Sequence, residues 1–596
     1  VIDELLSFAI VGPLVLGLLL ALRLVTGERA VAYVAQSGAA LSVVTSAVAV
    51  GLWIAHAARP VLTPPHVLFE HGGYRLVFQL ALDDASVVFL VLAQFTTGVV
   101  LRFSRFYLHR EPGFRRFFAT VLMFQAAMCM LTLAANLDLM FAGWEMVGGA
   151  SFLLIAFYWE RPSPVRNALK TYSVYRIADM GMLLAACLAE TGNHRVVGLL
   201  LLLAAMGKSA QVPFSFWVPR AMEGPTPSSA LFYGALSVHA GAYLLLRTEH
   251  LWGDVTTVRI AIGAVGLLTA ALCSMFSRVQ PTIKGQVGYA SVTQVGIIFV
   301  ELALGLRVLA LVHMTCNALL RCYQLLVSPS VVAYLVRRQA SAGFAQAERG
   351  FGYARILPER WATPLYVFAL SEGYLKELVK LVVWSPLRRI GRIVLPWPAA
   401  LLGLGAVGLM AGVAFAPTTS QRWDVILGWT FITLALLCSA AGLGSWRRPL
   451  RAVGWVSVSS VAVAVAVFVL SPVHDTFAGF VYAGAVAALC AMGWLGTRMV
   501  VPPDTETARF AGLSEGHHLA MALALVSALG IAGFPLLPTF VGEDLLLHDA
   551  LPEGGVVSAL IAAVLALNGY LAVRNFAFTF LGPRSPHARG TPVRAA

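Results

Sequence analysis

Charged residues are scarce in this sequence, 12% of its 596 residues, where a soluble domain carries about 25%. The shortage is sharper for acids, with 29 Asp and Glu against 42 Lys and Arg. Apolar residues make up 59% of the chain. So little polar surface cannot cover a water-soluble particle of this length, which excludes a soluble enzyme and makes the bilayer the natural solvent. Cysteine is also sparse. The seven cysteines (Cys129, Cys187, Cys273, Cys316, Cys322, Cys438 and Cys490) all lie in apolar stretches, and none forms a C-x-x-C pair. That excludes a disulfide framework, an Fe–S cluster and a zinc site, and leaves them as small buried hydrophobes. The first apolar segment, Leu5 to Leu24, lacks a basic leader and an A-x-A-like cleavage site, so it reads as a first span.

What is abundant is long apolar runs. About 16–17 stretches of roughly 17–25 residues are each long enough to cross a ~30 Å hydrocarbon core, so the expected fold is an all-α polytopic transmembrane bundle. The net charge of +13 sits in short loops between these runs, which argues against nucleic acid as a partner and for lipid. Odd-numbered loops carry Arg102, Arg105, Arg110, Arg115 and Arg116, then Arg161, Arg166 and Lys170, then Arg278 and Lys284. Arg337, Arg338 and Arg349, and later Arg447, Arg448 and Arg451, continue the series. Even-numbered loops are short or balanced. This alternation places the odd loops in the cytoplasm of a plasma (inner) membrane protein, with the N-terminus outside and the C-terminus inside.

Between Ala57 and Asp84 the stretch Tyr74 to Leu80 alternates apolar and polar residues and predicts a small external hairpin. Residues 1–328 read as a polar-rich first bundle. Residues 329–394 read as a linker with an amphipathic helix, in which Leu365, Phe368, Ala369, Tyr374, Leu378, Leu381 and Val382 recur at helical spacing among Glu372, Lys376, Glu377 and Lys380. Residues 395–582 read as a second, plainer bundle, and 583–596 as a basic tail.

Ionisable groups at membrane depth cost several kcal/mol, so each is a functional candidate. The candidates are Glu145, Lys208, His239, His313 and Glu543, with Arg321 beside them. His313, Asn317 and Arg321 are four residues apart and share one helix face. Pro213 leaves the Ser209 carbonyl without its helical donor and breaks the helix after Lys208; Pro535 marks a second break. A line from Glu145 and Lys208 through His239 and His313 towards Glu543 can pass protons, because a buried Lys beside a Glu has a shiftable pKa and His titrates near neutrality. The bland alternative is a set of structural ion pairs. His250, His517 and His518 lie near span ends and read as interfacial.

Three motifs carry a resemblance: Ser104-Arg105-Phe106-Tyr107 with Gly113 to Phe118, Trp144-Glu145-Met146-Val147-Gly148, and Gly207 to Gln211 followed by Trp217 to Pro227. Together they resemble the antiporter-type subunit L of NADH:quinone oxidoreductase, over about residues 75–325. A weaker match returns at Gly533-Phe534-Pro535 with Val541-Gly542-Glu543, where the glutamate is more like subunit M, and at Arg574 to Gly582. The resemblance implies that Glu145 and Lys208 form a charge-switch pair, that His239 and His313 lie on a central axis, and that Glu543 is an exit-side residue. It further implies that Asp179, in Arg176-Ile177-Ala178-Asp179, couples to a neighbouring subunit, and that the segment from Leu365 to Ile393 begins a lateral helix. The chain departs from the family pattern in Tyr233, in Asn317 and Arg321, and in the ~200 residues between the His313 and Glu543 motifs. An arginine does not release its proton, so Arg321 acts as a fixed charge.

The expected function is therefore that of a proton-translocating, energy-coupling membrane subunit of a complex I-related assembly, with no cofactor of its own. The partners implied are redox subunits. Two alternatives are the membrane subunit of a Dab-type inorganic-carbon pump, working with a cytoplasmic zinc protein like carbonic anhydrase, and an Mrp-type Na⁺/H⁺ antiporter subunit. The topology is testable: reporter fusions at His71 and Arg448 are expected to lie on opposite sides of the membrane, and the same side for both would refute the orientation.

Overall fold

The computed structural model describes residues 1–71, 73–342, 358–394, 421–470, 476–502 and 505–583. Arg349, the apolar stretch 395–420 and the tail 584–596 lie outside the described residues. In a bilayer every backbone N–H and C=O has to be paired inside the protein, which is why apolar runs of this length become helices. The chain is an all-α membrane bundle in which twelve helices, among the described residues, are long and apolar enough to cross.

The chain divides into two compact units, residues 1–157 with 191–379, and residues 158–190 with 380–596. The second is discontinuous. The helix α6 below packs with the late helices, so the division by packing differs from the linear one that composition suggests.

The first unit contains α1 (Ile2–Ala21), α2 (Glu28–Ala55), α3 (Asp84–Tyr107), α4 (Phe114–Leu133) and α5 (Leu137–Ile155). After α6 (Pro162–Leu188), which belongs to the second unit, come α7 (His194–Lys208), α8 (Val218–Ala221), α9 (Thr226–Ser229), α10 (Ala240–Arg247) and α11 (Glu249–Trp252). The unit continues with α12 (Thr256–Val279), α13 (Ile283–Ala303) and α14 (Arg307–Ala342), so Arg337 and Arg338 extend a helix. α6 and α14 are long but more polar than the twelve, and α7 with α8 is one run split in two. A second split run lies at 518–550. The expected hairpin is present: His66–His71 pairs antiparallel with Tyr74–Phe78.

Side-chain caps fix where these helices begin. Asn136 accepts from the Leu139 N–H at 2.8 Å, and Thr282 from the Gly285 N–H at 3.1 Å. Asp83 caps α3 in a reciprocal box with Ser86. The Asp83 carboxylate also accepts from the Arg247 guanidinium at the end of α10, tying two helix ends together. α12 and α13 cross at glycines: a Cβ on Gly266 would stand 2.5 Å from the Gly296 carbonyl, and one on Gly296 would stand 2.7 Å from the Gly266 carbonyl. Small residues at a crossing let two backbones approach where lipid supplies no hydrophobic drive for association.

The amphipathic stretch is not one helix. It is three pieces, Glu359–Leu370, Leu375–Val379 and Ser385–Val394, with a π turn at Lys380–Trp384. Glu372, Gly373 and Tyr374 take φ of 54°, 61° and 55°, a left-handed turn that ends the first piece. The Glu372 side chain, 12% exposed, reaches Arg220 at 2.7 Å, and that partly buried ion pair draws the chain out of the helical path. Periodicity carries on across such a kink without marking it.

In the second unit, α6 packs against the helix Gly555–Phe580. There Asn568 donates to Ser459 at 3.0 Å and accepts from Ser439 at 2.7 Å. Arg574 donates to the carbonyls of Gly442 and Leu443 at 2.7 and 3.0 Å, closing the C-terminal end of Gln421–Gly444.

Two tests follow from the first unit. Gly266→Val is expected to destabilise the purified protein by roughly 1–3 kcal/mol through overpacking, read as a lower Tm in detergent; an unchanged Tm would mean the helices cross less closely. Burial pushes the Asp83 carboxyl up, but Arg247 and the Ser86 donors outweigh it and hold the group below its ordinary 3.8. Its stabilising contribution is therefore complete above about pH 3.8 and is lost as pH falls through the lower folded value. Asp83→Asn keeps a capping oxygen but removes the charge facing Arg247, and is expected to cost about 1 kcal/mol at pH 7, with the difference from wild type shrinking below pH 3.8. An equal difference at pH 7 and in strong acid would refute the ion pair.

Candidate functional site

The site is built around the end of α7. Pro213 cannot continue the helix, and α7 stops at Lys208 with Ala210 at φ 53°. The groups this break releases are taken up one by one. The Trp217 indole donates to the Gly207 carbonyl at 3.0 Å, and the Gln211 amide donates to the Ser209 carbonyl at 2.8 Å. The Val212 N–H donates to the Thr269 hydroxyl of α12 at 3.0 Å. Lys208 is thereby placed in the last helical turn, where the helix dipole favours a cation. Its side chain is 1% exposed. Its Nζ donates to the Trp144 carbonyl at 3.0 Å and stands 4.6 Å from the centre of the Trp144 ring.

Glu145 is the next residue along α5, 5% exposed. Its helix can approach α4 because Gly143 has no side chain; a Cβ there would meet the Leu131 amide at 2.6 Å. The structure thus brings Lys208 to the backbone immediately beside Glu145.

Beyond it, the run from Thr226 to Arg247 is interrupted by a π turn at Ala230–Ala235, and His239 caps the start of α10 with no exposure. Such π turns recur at functional positions because they re-aim side chains. His239 Nε2 meets the Asn317 amide at 3.0 Å. Asn317 Oδ1 accepts from Arg321 Nε at 3.1 Å, and Arg321 also donates to Gln324 at 2.7 Å. His313, one turn before Asn317, meets Glu301 Oε1 at 2.8 Å through Nδ1 and Gln294 Oε1 at 2.9 Å through Nε2. The expected face of α14 is therefore real, and it carries two joined polar groups: His239–Asn317–Arg321 and Glu301–His313–Gln294.

Glu301 and Gln294 were not among the expected site residues. Glu301 was legible, since Val300-Glu301-Leu302 puts an acid inside an apolar run. Gln294 carries no charge and gives no such signal.

Glu543, Arg176 and Asp179 belong to the second unit. The helix broken by Pro535 runs as His518–Ile531 and Pro538–Ala550. Arg176 donates to the Ala532 carbonyl in that break at 2.7 Å, and its Nε lies 3.8 Å from Asp179. Asp179, 3% exposed, is in the interior of the unit. Glu543 packs on Gly533, where a Cβ would stand 2.5 Å from its carboxylate. The last two stations of the expected line, His313 and Glu543, are thus in different units.

Comparison with known proteins gives this geometry its context. Residues 134–341 match the family described as NADH:quinone oxidoreductase/Mrp antiporter, TM, and residues 68–118 match NADH-Ubiquinone oxidoreductase (complex I), chain 5 N-terminus. NADH-quinone oxidoreductase subunit L of Escherichia coli (strain K12) is 35% identical over 283 residues, covering 44% of this chain and 46% of that protein. NADH-ubiquinone oxidoreductase chain 5 of Rattus norvegicus is 34% identical over 275 residues, covering 44% and 45%. A chain of the Mrp complex from Dietzia sp. DQ12-45-1b is 20% identical, covering 88% of this chain and 75% of that one, with a TM-score of 0.48. The chain spans a little under half the length of the curated relatives it matches. Residues 68–118 and 134–341 are thus similar to membrane subunits of NADH:quinone oxidoreductase and Mrp antiporters.

Proposed function

We propose that this protein is a proton-translocating, energy-coupling subunit of a complex I-related assembly in the plasma (inner) membrane, with its N-terminus outside and its C-terminus in the cytoplasm. The observation that carries the reading is Lys208, a buried cation at a helix break whose ammonium rests on the Trp144 carbonyl beside Glu145. Few arrangements at membrane depth justify the cost of such a cation other than ion movement. When a proton reaches the neighbourhood of Lys208, the balance of charge around Glu145 changes, and in a low dielectric that change is felt strongly by the next groups along. His239 and His313 each carry an imidazole, a group that can accept and donate a proton, and Arg321 supplies a constant positive field beside them. The driving or driven reaction belongs to partner subunits.

Lys208→Ala replaces a buried cation by a methyl group and removes the cost of burying the charge, so the chain is expected to insert and assemble. It removes the cation that holds the Glu145 region in one charge state. Proton flux, measured by dye quenching in inverted vesicles containing the chain with its native partners, is expected to fall at least about tenfold, equivalent to ~1.4 kcal/mol or more. Flux at the wild-type level in a well-assembled Lys208→Ala variant would refute the assignment.

A further inference from the structure

The polar groups on α14 climb towards its N-terminal end. Arg321, Asn317 and His313 succeed one another at four-residue steps, ~12 Å in all at 1.5 Å per residue. Six residues above His313, α14 begins at Arg307, and there the structure holds a polar cleft of about 360 Å³. Its lining includes Glu249, Asp254, Arg259, Leu302, Gly305 and Arg307. Arg307 pairs with Glu249 at 2.9 Å, and Arg259 donates to the Ala303 carbonyl at 2.9 Å. Glu301 links the two in sequence. It lies in the last turn of α13, next in sequence to the cleft residue Leu302, and it holds His313 through Oε1. Its other oxygen, Oε2, is buried and takes no hydrogen bond. A buried charged oxygen without a donor is costly, and protonation of the carboxyl group lowers that cost by removing the charge.

We propose that Glu301 takes the proton from His313 and hands it to the cleft between α11, α12, α13 and α14, which is the outer mouth of the path in the first unit. This rests on the proton-translocating reading above. In the step, the proton on His313 Nδ1 passes along the 2.8 Å bond to the Glu301 carboxylate, leaving a neutral imidazole and a neutral carboxylic acid. The acid then releases the proton to water in the cleft and becomes a carboxylate again. Gln294 on Nε2 keeps the ring oriented throughout. Loops 248–255 and 304–306 are even-numbered, so the cleft faces outside on the topology that the charge distribution implies.

A merely structural Glu301 would hold α13 to α14 by its bond to His313. Glu301→Gln keeps a hydrogen-bonding group of the same shape but cannot carry the proton, whereas Glu301→Asp can. With the native partners in vesicles, Glu301→Gln is expected to lower proton flux at least about tenfold while assembling normally, and Glu301→Asp to retain a substantial part of it. Independently of flux, Glu301→Cys is expected to react with a membrane-impermeant cationic methanethiosulfonate added outside and not with the same reagent added inside, the parent chain serving as blank. Wild-type flux in assembled Glu301→Gln, with flux still lost in Lys208→Ala, would overturn the role of Glu301 and leave the proposed function standing. Labelling of Glu301→Cys from the inside, or from neither side, would overturn the connection to the cleft. Absence of proton flux in the wild type would remove the proposed function, and this inference with it.

Discussion

The backbone groups freed between Lys208 and Phe214 have to be satisfied without bulk water, and much of the first unit is arranged around doing so. Each partner comes from a different place: Trp217 from the chain beyond the break, Gln211 from within it, and Thr269 from α12. An unmade hydrogen bond in hydrocarbon costs several kcal/mol, so these three side chains set where α7 ends and how α12 lies against it. Once the break is fixed, the ammonium of Lys208 has one favourable place to go, against the Trp144 carbonyl and ring. The cation is thus a consequence of the break as much as its purpose. The same break that costs a helix its continuity supplies the polar cradle a buried lysine needs.

From there the polar groups fall into two kinds. His239, His313 and Glu301 are able to exchange protons. Asn317, Gln294 and Arg321 are not, and they hold the others in place: Asn317 lies between His239 and Arg321, and Gln294 lies on the far nitrogen of His313. Arg321 is anchored to Asn317, Gln324 and the Ala290 carbonyl, which fixes both its position and its charge. Arg321 shares a face of α14 with His313 and Asn317, so its fixed charge acts on any proton that His313 or His239 holds.

What could be read from sequence and what could not follows a physical division. A charge within an apolar run announces itself by its cost, so Glu145, Lys208, His239 and His313 were visible, and the four-residue spacing from His313 to Arg321 placed three side chains on one face. Partners are different. Nothing in the local sequence says that Trp217 will reach back to Gly207 or that Thr269 will receive the Val212 amide, because those pairings depend on tertiary approach. Packing order is equally silent: α6 follows α5 in the chain but packs with Gly555–Phe580, and no composition shift marks that. The amphipathic segment failed as one helix for a related reason. Its apolar period survives the left-handed turn at Glu372–Tyr374, and the force that makes the turn, the Arg220–Glu372 pair, joins residues 152 positions apart.

The second unit handles its broken helix by another means. Where the first unit meets the freed carbonyls with neutral donors, here Arg176 donates to Ala532, and Arg574 likewise covers the carbonyls of Gly442 and Leu443. A guanidinium suits this work, since its several donors stay charged and planar whatever the local proton supply. It also means that these two buried cations are committed to backbone carbonyls and do not exchange protons. Glu543 is different, a carboxylate packed against Gly533 at the break itself, with Arg176 on the carbonyl one residue earlier. The glycine is required there because any side chain would displace the carboxylate, and a φ of 73° suits it. The two units thus share a broken helix with an ionisable group beside it, but the first places a lysine there among neutral partners, and the second a glutamate beside a fixed arginine.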